Sequence, residues 1–150
     1  MKANNDSFIL IAEDDADDRM LILEAFEENQ VKWTLQFVED GAELLDFLQK
    51  KGKYQGNTSD TPELILLDIN MPRKDGKQAL EEIKNCPAMK HIPVIIFTTS
   101  NRPDDIEQTY KLGANSFIIK PSSYTGFMEI FKILNEYWVN TVSIKAVVKN

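Results

Sequence analysis

The chain has 150 residues, which is the length of one domain, and 43% of them are apolar, which is too many for a disordered chain. Its formal net charge of −7 argues against non-specific binding to nucleic acid or to an anionic membrane, because both need cations. A single cysteine, Cys86, excludes an internal disulfide, and neither a signal-peptide pattern nor an apolar run long enough to span a membrane occurs, so we expect a cytoplasmic protein.

Short apolar runs predict five strands. In chain order they are Phe8–Ala12, the weaker run Trp33–Val38, Leu64–Leu67, Val94–Phe97 and Phe117–Ile119. Apart from the weaker one, the runs are continuously apolar, which is typical of strands buried on both faces. Strands of this kind indicate a parallel sheet.

Longer segments of mixed polarity between the strands predict helices. The clearest are Ala42–Gln49, Lys77–Asn85, Pro103–Leu112 and Tyr124–Trp138. Pro103 suits a first helical turn, and Gly113 suits the position just after a last one. Strand and helix alternate five times, so right-handed crossovers give a doubly wound sheet with helices on both faces.

Two segments fall outside this alternation. Lys50–Pro62 is a long polar connection, which we expect to be a mobile surface loop. The tail Val139–Asn150 follows the last helix and contains the alternating apolar residues Val142, Ile144 and Ala146.

Polar side chains follow four of the predicted strands. They are Glu13, Asp14 and Asp15 after the first, Asp68 and Asn70 after the third, Thr98, Thr99 and Ser100 after the fourth, and Lys120 after the fifth. Because the carboxyl ends of parallel strands meet at one edge of a sheet, we expect these side chains to form a cluster there.

The expected cluster has the composition of a site for Mg²⁺ and phosphate. Carboxylates this close repel one another unless a cation is present, and hard oxygen ligands suit Mg²⁺. A carboxylate can also attack phosphorus and form an aspartyl-phosphate. The metal and Lys120 would supply the positive charge that such a transfer needs, and Thr98 would donate a hydrogen bond to a phosphoryl oxygen.

Four sequence motifs, in this order at the strand ends, resemble the receiver domain of two-component response regulators. They are ILIAEDD at 9–15, LILLDINMPRKDG at 64–76, VIIFTTS at 94–100 and SFIIKP at 116–121. The resemblance implies a flavodoxin-like sheet of order 2-1-3-4-5. It also implies a single receiver domain over residues 1–150, with a core at about 7–138, a tail at 139–150, and no DNA-binding or enzymatic domain after the fifth helix.

The resemblance assigns roles to the residues that match the family. Asp68 stands at the position of the phosphoacceptor. The implied metal ligands are Asp14, Asp68 and the backbone carbonyl of Asn70, with Glu13 acting through water. The protein is then a signalling switch that catalyses only its own phosphorylation and dephosphorylation.

Other matching residues have roles in contacting the phosphoryl group and in switching. Thr98 and Lys120 match the hydroxyl and the lysine that contact the phosphoryl group. Phe117 matches the aromatic residue whose rotamer follows phosphorylation. The resemblance also implies a cis peptide bond between Lys120 and Pro121, which would direct Lys120 over the site.

A narrower resemblance is to the small stand-alone regulators paired with bacteriophytochrome-type histidine kinases. It rests on the long connection before the third strand, the run Thr98-Thr99-Ser100 and the pair Tyr137-Trp138. The implied partner is a histidine kinase, whose phosphohistidine donates the phosphoryl group, or a phosphotransfer protein. The fourth helix, fifth strand and fifth helix would form the switched face and, with the tail, a possible homodimer contact.

Other classes of function remain as alternatives. An aspartate-nucleophile phosphatase of the haloacid dehalogenase type also forms an aspartyl-phosphate, but it uses a second Asp where this chain has Asn70. A flavin-binding module needs a glycine- and hydroxyl-rich phosphate loop, and the loop after the first strand is acidic instead. A receiver-like module that binds partners without phosphorylation is the third alternative.

Overall fold

The five predicted strands pair in one parallel sheet in the computed structural model, which describes residues 8–30, 33–58 and 61–137. The strands are Phe8–Ala12 (β1), Thr34–Val38 (β2), Leu64–Leu67 (β3), Val94–Thr98 (β4) and Ser116–Ile119 (β5). Their order is β2-β1-β3-β4-β5, and every neighbouring pair is parallel. The expected doubly wound, flavodoxin-like fold is therefore confirmed.

Five helices alternate with the strands. They are Ala16–Glu28 (α1), Gly41–Gln49 (α2), Gly76–Lys84 (α3), Pro103–Lys111 (α4) and Tyr124–Leu134 (α5). Pro103 is the first residue of α4, and Gly113 has a φ of +110° just after that helix, in the left-handed region that glycine adopts readily. Among the described residues, each helix is too short or too polar to cross a bilayer.

The sheet belongs to a compact unit formed by residues 1–16 and 33–120, which also contains α2, α3 and α4. The strands β1, β3 and β4 are buried along their whole length, because they lie inside the sheet and are apolar throughout. Leu10, Ile65 and Ile96 contribute to a core that includes Leu44 of α2 and Leu80 of α3. Each such side chain stabilises the fold by about 1.5–3 kcal/mol.

The second compact unit, whose described residues are 17–30 and 121–137, contains most of α1 and all of α5. The rings of Phe26 and Phe131 lie 5.2 Å apart between their centroids. The side-chain amide of Asn135 donates a hydrogen bond to the backbone oxygen of Asn29 at 3.5 Å. The described residues of this unit end at Tyr137, so the predictions for Trp138 and for the tail Val139–Asn150 lie outside them.

Part of the connection Lys50–Pro62 is anchored to α2 by side-chain contacts, while its mobility stays a prediction. Residues Gly52–Tyr54 form a single 3-10 turn. The Tyr54 ring packs edge-on against Phe47 of α2 at 4.9 Å, and its hydroxyl donates to Glu43 Oε2 at 2.5 Å. An aromatic residue within a polar stretch can thus fix the segment to the neighbouring helix.

Candidate functional site

Backbone hydrogen bonds continue the strand pairing one residue past the ends of β1, β3 and β5. The amide of Asp68 donates to the oxygen of Ala12 at 3.2 Å, and the amide of Lys120 donates to the oxygen of Thr98 at 2.7 Å. The amide of Glu13 likewise donates to the oxygen of Val38 at 2.9 Å. These bonds place the first residues after the strands along one edge of the sheet.

Three carboxylates meet at this edge. One oxygen from each of Glu13, Asp14 and Asp68 lies within 4.8 Å of the other two. Glu13 and Asp68 are 1% and 6% exposed, whereas Asp14 is exposed to solvent. Carboxylates that are this close and this poorly hydrated favour a bound cation, and three hard oxygen donors fit a divalent metal ion such as Mg²⁺.

Lys120 brings a positive charge into the same cluster. Its Nζ lies 2.8 Å from Glu13 Oε1 and 3.0 Å from Asp68 Oδ2, and its side chain is only 5% exposed. The ammonium also lies 5.9 Å from the centre of the Phe97 ring, a favourable position for a cation. One lysine therefore neutralises charge on two carboxylates that follow different strands.

The predicted cis bond between Lys120 and Pro121 is wrong, because the described residues contain no cis peptide. The lysine side chain reaches Asp68 Oδ2 at 3.0 Å with a trans bond after it. The backbone bond from Lys120 to Thr98 already fixes the start of that side chain, so a cis bond is not required to direct it.

Burial raises the pKa of Glu13 to about 7. The hydrogen bond from Lys120 opposes this shift, and the negative charge of Asp68 adds to it. A further hydrogen bond, from the amide of Asp15 to Glu13 Oε2, measures 3.2 Å. The pKa of Glu13 is thus set jointly by its burial, by Lys120 and by Asp68, as expected where carboxylates lie close together.

Lys120 binds Oδ2 of the Asp68 carboxylate, and the segment that follows β3 holds the other oxygen, Oδ1. The exposed residue Asn70 donates its amide to Asp68 Oδ1 at 3.2 Å. The segment then turns back, and the amide of Gly76 donates to the oxygen of Ile69 at 2.8 Å. A Cβ atom on Gly76 would lie 2.2 Å from the backbone carbonyl oxygen of Asp68, so only glycine allows this approach. In the sequence analysis, Gly76 appears only as the last residue of the motif LILLDINMPRKDG at 64–76.

Thr98 is fully buried and connects the site with α4. Its Oγ1 accepts from the amide of Ser100 at 3.4 Å, and the Ser100 hydroxyl donates to Asp105 Oδ2 at 2.5 Å. Lys77 of α3 binds Asp105 Oδ1, also at 2.5 Å. Sequence reasoning missed this use of Asp105, because an acid in a first helical turn is usually explained by the helix dipole.

Phe117 lies apart from the carboxylates. It is in β5 opposite Ile96 of β4, and its half-buried ring packs against the core of the first unit. The structure thus gathers Glu13, Asp14, Asp68 and Lys120 into direct proximity, and it attaches Asn70 and Thr98 to them through backbone bonds.

Comparisons with known proteins agree on one family. The family model for the response regulator receiver domain matches residues 9–132. Response regulator Rcp1 of Synechocystis sp. is 34% identical over 97% of this chain and 97% of its own. The solved Mn²⁺-bound form of Rcp1 has a TM-score of 0.84 at 35% identity, covering 91% of this chain and 96% of that one.

Two further solved structures are phytochrome response regulators. The phosphorylated cyanobacterial phytochrome response regulator RcpA has a TM-score of 0.84 at 38% identity, covering 91% of this chain and 96% of its own. The bacteriophytochrome response regulator AtBRR has a TM-score of 0.72 at 32% identity, covering 89% and 95%.

Proposed function

The chain belongs to the response regulator receiver family, and from this premise we propose that Asp68 accepts a phosphoryl group from the phosphohistidine of a histidine kinase in a reaction that needs Mg²⁺. A receiver domain is a signalling module of two-component systems, and membership of this family implies a histidine kinase partner. The observation that carries the assignment of Asp68 is its burial next to Lys120 and two other carboxylates.

The carboxylate of Asp68, the proposed nucleophile, is held at both of its oxygens. Lys120 binds one of its oxygens and the Asn70 amide binds the other, so the carboxylate cannot rotate freely. In the transfer, an Asp68 oxygen forms a bond to phosphorus while the phosphorus–nitrogen bond to the kinase histidine breaks, and the electron pair stays on the imidazole. Lys120 and the Thr98 hydroxyl would contact the phosphoryl oxygens.

Receiver domains bind a divalent metal, and we assign Mg²⁺ to the carboxylate cluster. Asp14, Asp68 and the backbone carbonyl of Asn70 would bind it, with Glu13 acting through water. The ion would neutralise charge on the transferred group. Its affinity should be modest, because Mg²⁺ keeps several waters where the protein offers few ligands.

The contacts of Thr98 support a route from the site to the surface. If Thr98 Oγ1 turns towards the phosphoryl group, it leaves the amide of Ser100, whose hydroxyl holds Asp105 of α4. The space vacated by Thr98 would then admit the ring of Phe117, as the family resemblance implies. Phosphorylation would in this way select one of two arrangements of α4.

The face formed by α4, β5 and α5 would respond to phosphorylation. It would bind a partner protein or a second copy of this chain. Tyr110 of α4 and Ile119 of β5 are 48% and 46% exposed. Tyr137, which follows α5, is also exposed, whereas Met128 of α5 is half-buried. Homodimer formation, the contribution of the tail and the cytoplasmic location stay predictions.

Phosphorylation of the full chain tests the proposal. The protein is incubated with Mg²⁺ and acetyl phosphate, and its intact mass is measured. Wild type should gain one phosphoryl group, and omission of Mg²⁺ or the change Asp68→Asn should prevent the gain. Asp104→Asn is the matched control, because Asp104 is an exposed acid outside the cluster. Full labelling of Asp68→Asn would refute Asp68 as the acceptor.

A further inference from the structure

The segment 69–75, here called the β3–α3 segment, carries Asn70 and is fixed to the first compact unit at both ends. Near its start, Met71 is 8% exposed and packs in the core. At its end, the amide of Gly76 donates to the oxygen of Ile69 at 2.8 Å. The proposed metal ligand Asn70 therefore lies in a short segment that is held near both ends. The conformation of residues 72–75 decides how far the backbone of this segment can still move.

A tight turn occupies that remaining stretch. The amide of Lys74 donates to the oxygen of Pro72 at 2.7 Å, and Arg73 between them has a φ of +64°. A three-residue turn with a left-handed central residue is rare and strained, and for a non-glycine residue the strain is greater. Such a conformation persists only where surrounding contacts hold it.

The contacts that hold this turn come from the start of α2. Arg73 binds Asp40 with two hydrogen bonds, Nε to Oδ2 at 2.8 Å and Nη2 to Oδ1 at 3.0 Å. Asp40 is 8% exposed and is itself fixed, because it caps α2 by accepting from the Glu43 amide at 2.8 Å. The backbone adds a bond from the Gly41 amide to the Lys74 oxygen at 2.9 Å.

Glycine at position 41 makes this approach possible. A Cβ atom there would lie 2.2 Å from the Lys74 oxygen, so the segment and the start of α2 are in direct backbone contact. The Arg73 side chain is largely exposed, and an exposed ion pair contributes little to global stability unless its geometry is bidentate. The two hydrogen bonds from Arg73 to the fixed carboxylate of Asp40 instead restrict where the backbone of the segment can lie.

We propose that Arg73 is a positioning residue for the metal: by binding Asp40, it holds the β3–α3 segment where the Asn70 backbone carbonyl can complete the carboxylate cluster. This inference rests on the proposed function of the site. Arg73 touches neither the metal nor the phosphoryl group, and it acts through the backbone. Residues that orient a metal ligand commonly change metal affinity tenfold or more when altered.

Direct metal binding, measured by calorimetry with Mn²⁺ or Mg²⁺ on the full chain without a phosphodonor, tests this role. Arg73→Ala should weaken binding about tenfold. Arg73→Lys should restore little of it, because an ammonium cannot form the paired bonds of a guanidinium. Asp40→Asn should match Arg73→Ala, since Asn still caps a helix but lacks the charge.

Lys74→Ala is the matched control. Lys74 is the next residue in the same segment, but its ammonium pairs with Glu82 of α3 and not with α2. Its removal should leave metal affinity within about twofold of wild type. The double variant Arg73→Ala with Asp40→Asn should bind metal no more weakly than either single variant, because both changes remove the same interaction.

A kinetic readout separates positioning from catalysis. In phosphorylation by acetyl phosphate, Arg73→Ala should raise the Mg²⁺ concentration for half-maximal rate about tenfold and leave the rate at saturating Mg²⁺ close to that of wild type. Wild-type affinity in both Arg73→Ala and Asp40→Asn would overturn the inference and leave the proposed function standing. Failure of the wild type itself to bind a divalent metal would overturn the proposed function instead.

Discussion

The ammonium of Lys120 lies 3.0 Å from Asp68 Oδ2, so the proposed phosphoacceptor is paired with a cation before any phosphoryl group arrives. The same ammonium lies 2.8 Å from Glu13 Oε1. Because a divalent metal would bind in the cluster that contains both carboxylates, Lys120 and the metal would share the task of offsetting the charge of Glu13 and Asp68.

Replacing Lys120 with alanine should therefore affect metal binding and phosphorylation in opposite directions. Without the ammonium, the buried carboxylates repel one another more, so divalent metal should bind roughly threefold more tightly or better. Phosphorylation should become at least about tenfold slower, because the positive group proposed to contact the phosphoryl oxygens is lost. Calorimetry and intact-mass time courses measure the two effects. Weaker metal binding by Lys120→Ala would contradict the shared role.

Asp14 should contribute far more to metal binding than acids at the start of α1. Asp14→Ala should weaken Mg²⁺ binding about tenfold or more, since it removes one of the few proposed protein ligands. Asp17→Ala is the control, because Asp17 also follows β1 but belongs to the first turn of α1. Equal losses in the two titrations would show that only general negative charge matters.

The hydrogen bonds from Lys77 and Ser100 lower the pKa of Asp105. A carboxyl group whose pKa is lower in the folded state stabilises the fold at pH above its unfolded value. That contribution is lost as pH falls through the folded value. Asp105→Asn should therefore reduce the free energy of unfolding by about 1 kcal/mol near neutral pH, and the difference from wild type should shrink below about pH 4.

Urea unfolding at a series of pH values measures this difference. The neighbouring change Asp104→Asn serves as the control, since Asp104 is exposed and in the same helical turn. A difference between wild type and Asp105→Asn that stays constant down to about pH 3 would mean that the ionised carboxylate is not what stabilises the fold.

Gly76→Ala should damage both the fold and the site. The added Cβ atom would lie 2.2 Å from the backbone carbonyl oxygen of Asp68, so the backbone must shift, at a cost of about 1–3 kcal/mol. Because that backbone carries the acceptor, phosphorylation should slow as well. Gly56→Ala is the comparison, since Gly56 also has a special conformation, with a φ of +85°, but meets nothing within 4 Å. Only Gly76→Ala should slow labelling by acetyl phosphate.

Much of the fold follows from the sequence because buried parallel strands have a simple signature. The runs Phe8–Ala12 and Leu64–Leu67 were predicted with the bounds that the structure has. The ends of α3 and α4 were predicted one residue too late, at Asn85 and Leu112, which are the C-caps of these helices. The predicted end of α5, Trp138, lies outside the described residues, and residues 135–137 extend that helix as a π-helical turn. Periodicity thus fixes which face is buried better than it fixes where a helix ends.

The expected meeting of Asp68 with Lys120 also follows from topology, since both residues come directly after parallel strands. Contacts between loops and helices have no such rule. The pairs Arg73–Asp40 and Lys77–Asp105 join residues that are distant in the chain and show no period, and their geometry depends on the rotation of each helix. The wrong expectation for the Lys120–Pro121 bond came from family resemblance alone.

The backbone bonds from Asp68 to Ala12 and from Lys120 to Thr98 make the two reactive residues part of the sheet. Amide hydrogens in such positions exchange with solvent only when strands separate, which requires much of the free energy of global unfolding. The amide of the exposed residue Asn70 is held by a single carboxylate instead, so it can exchange through a small local opening. We therefore expect the backbone of Asp68, the proposed acceptor, to open rarely, while the segment that carries Asn70 opens and closes more often.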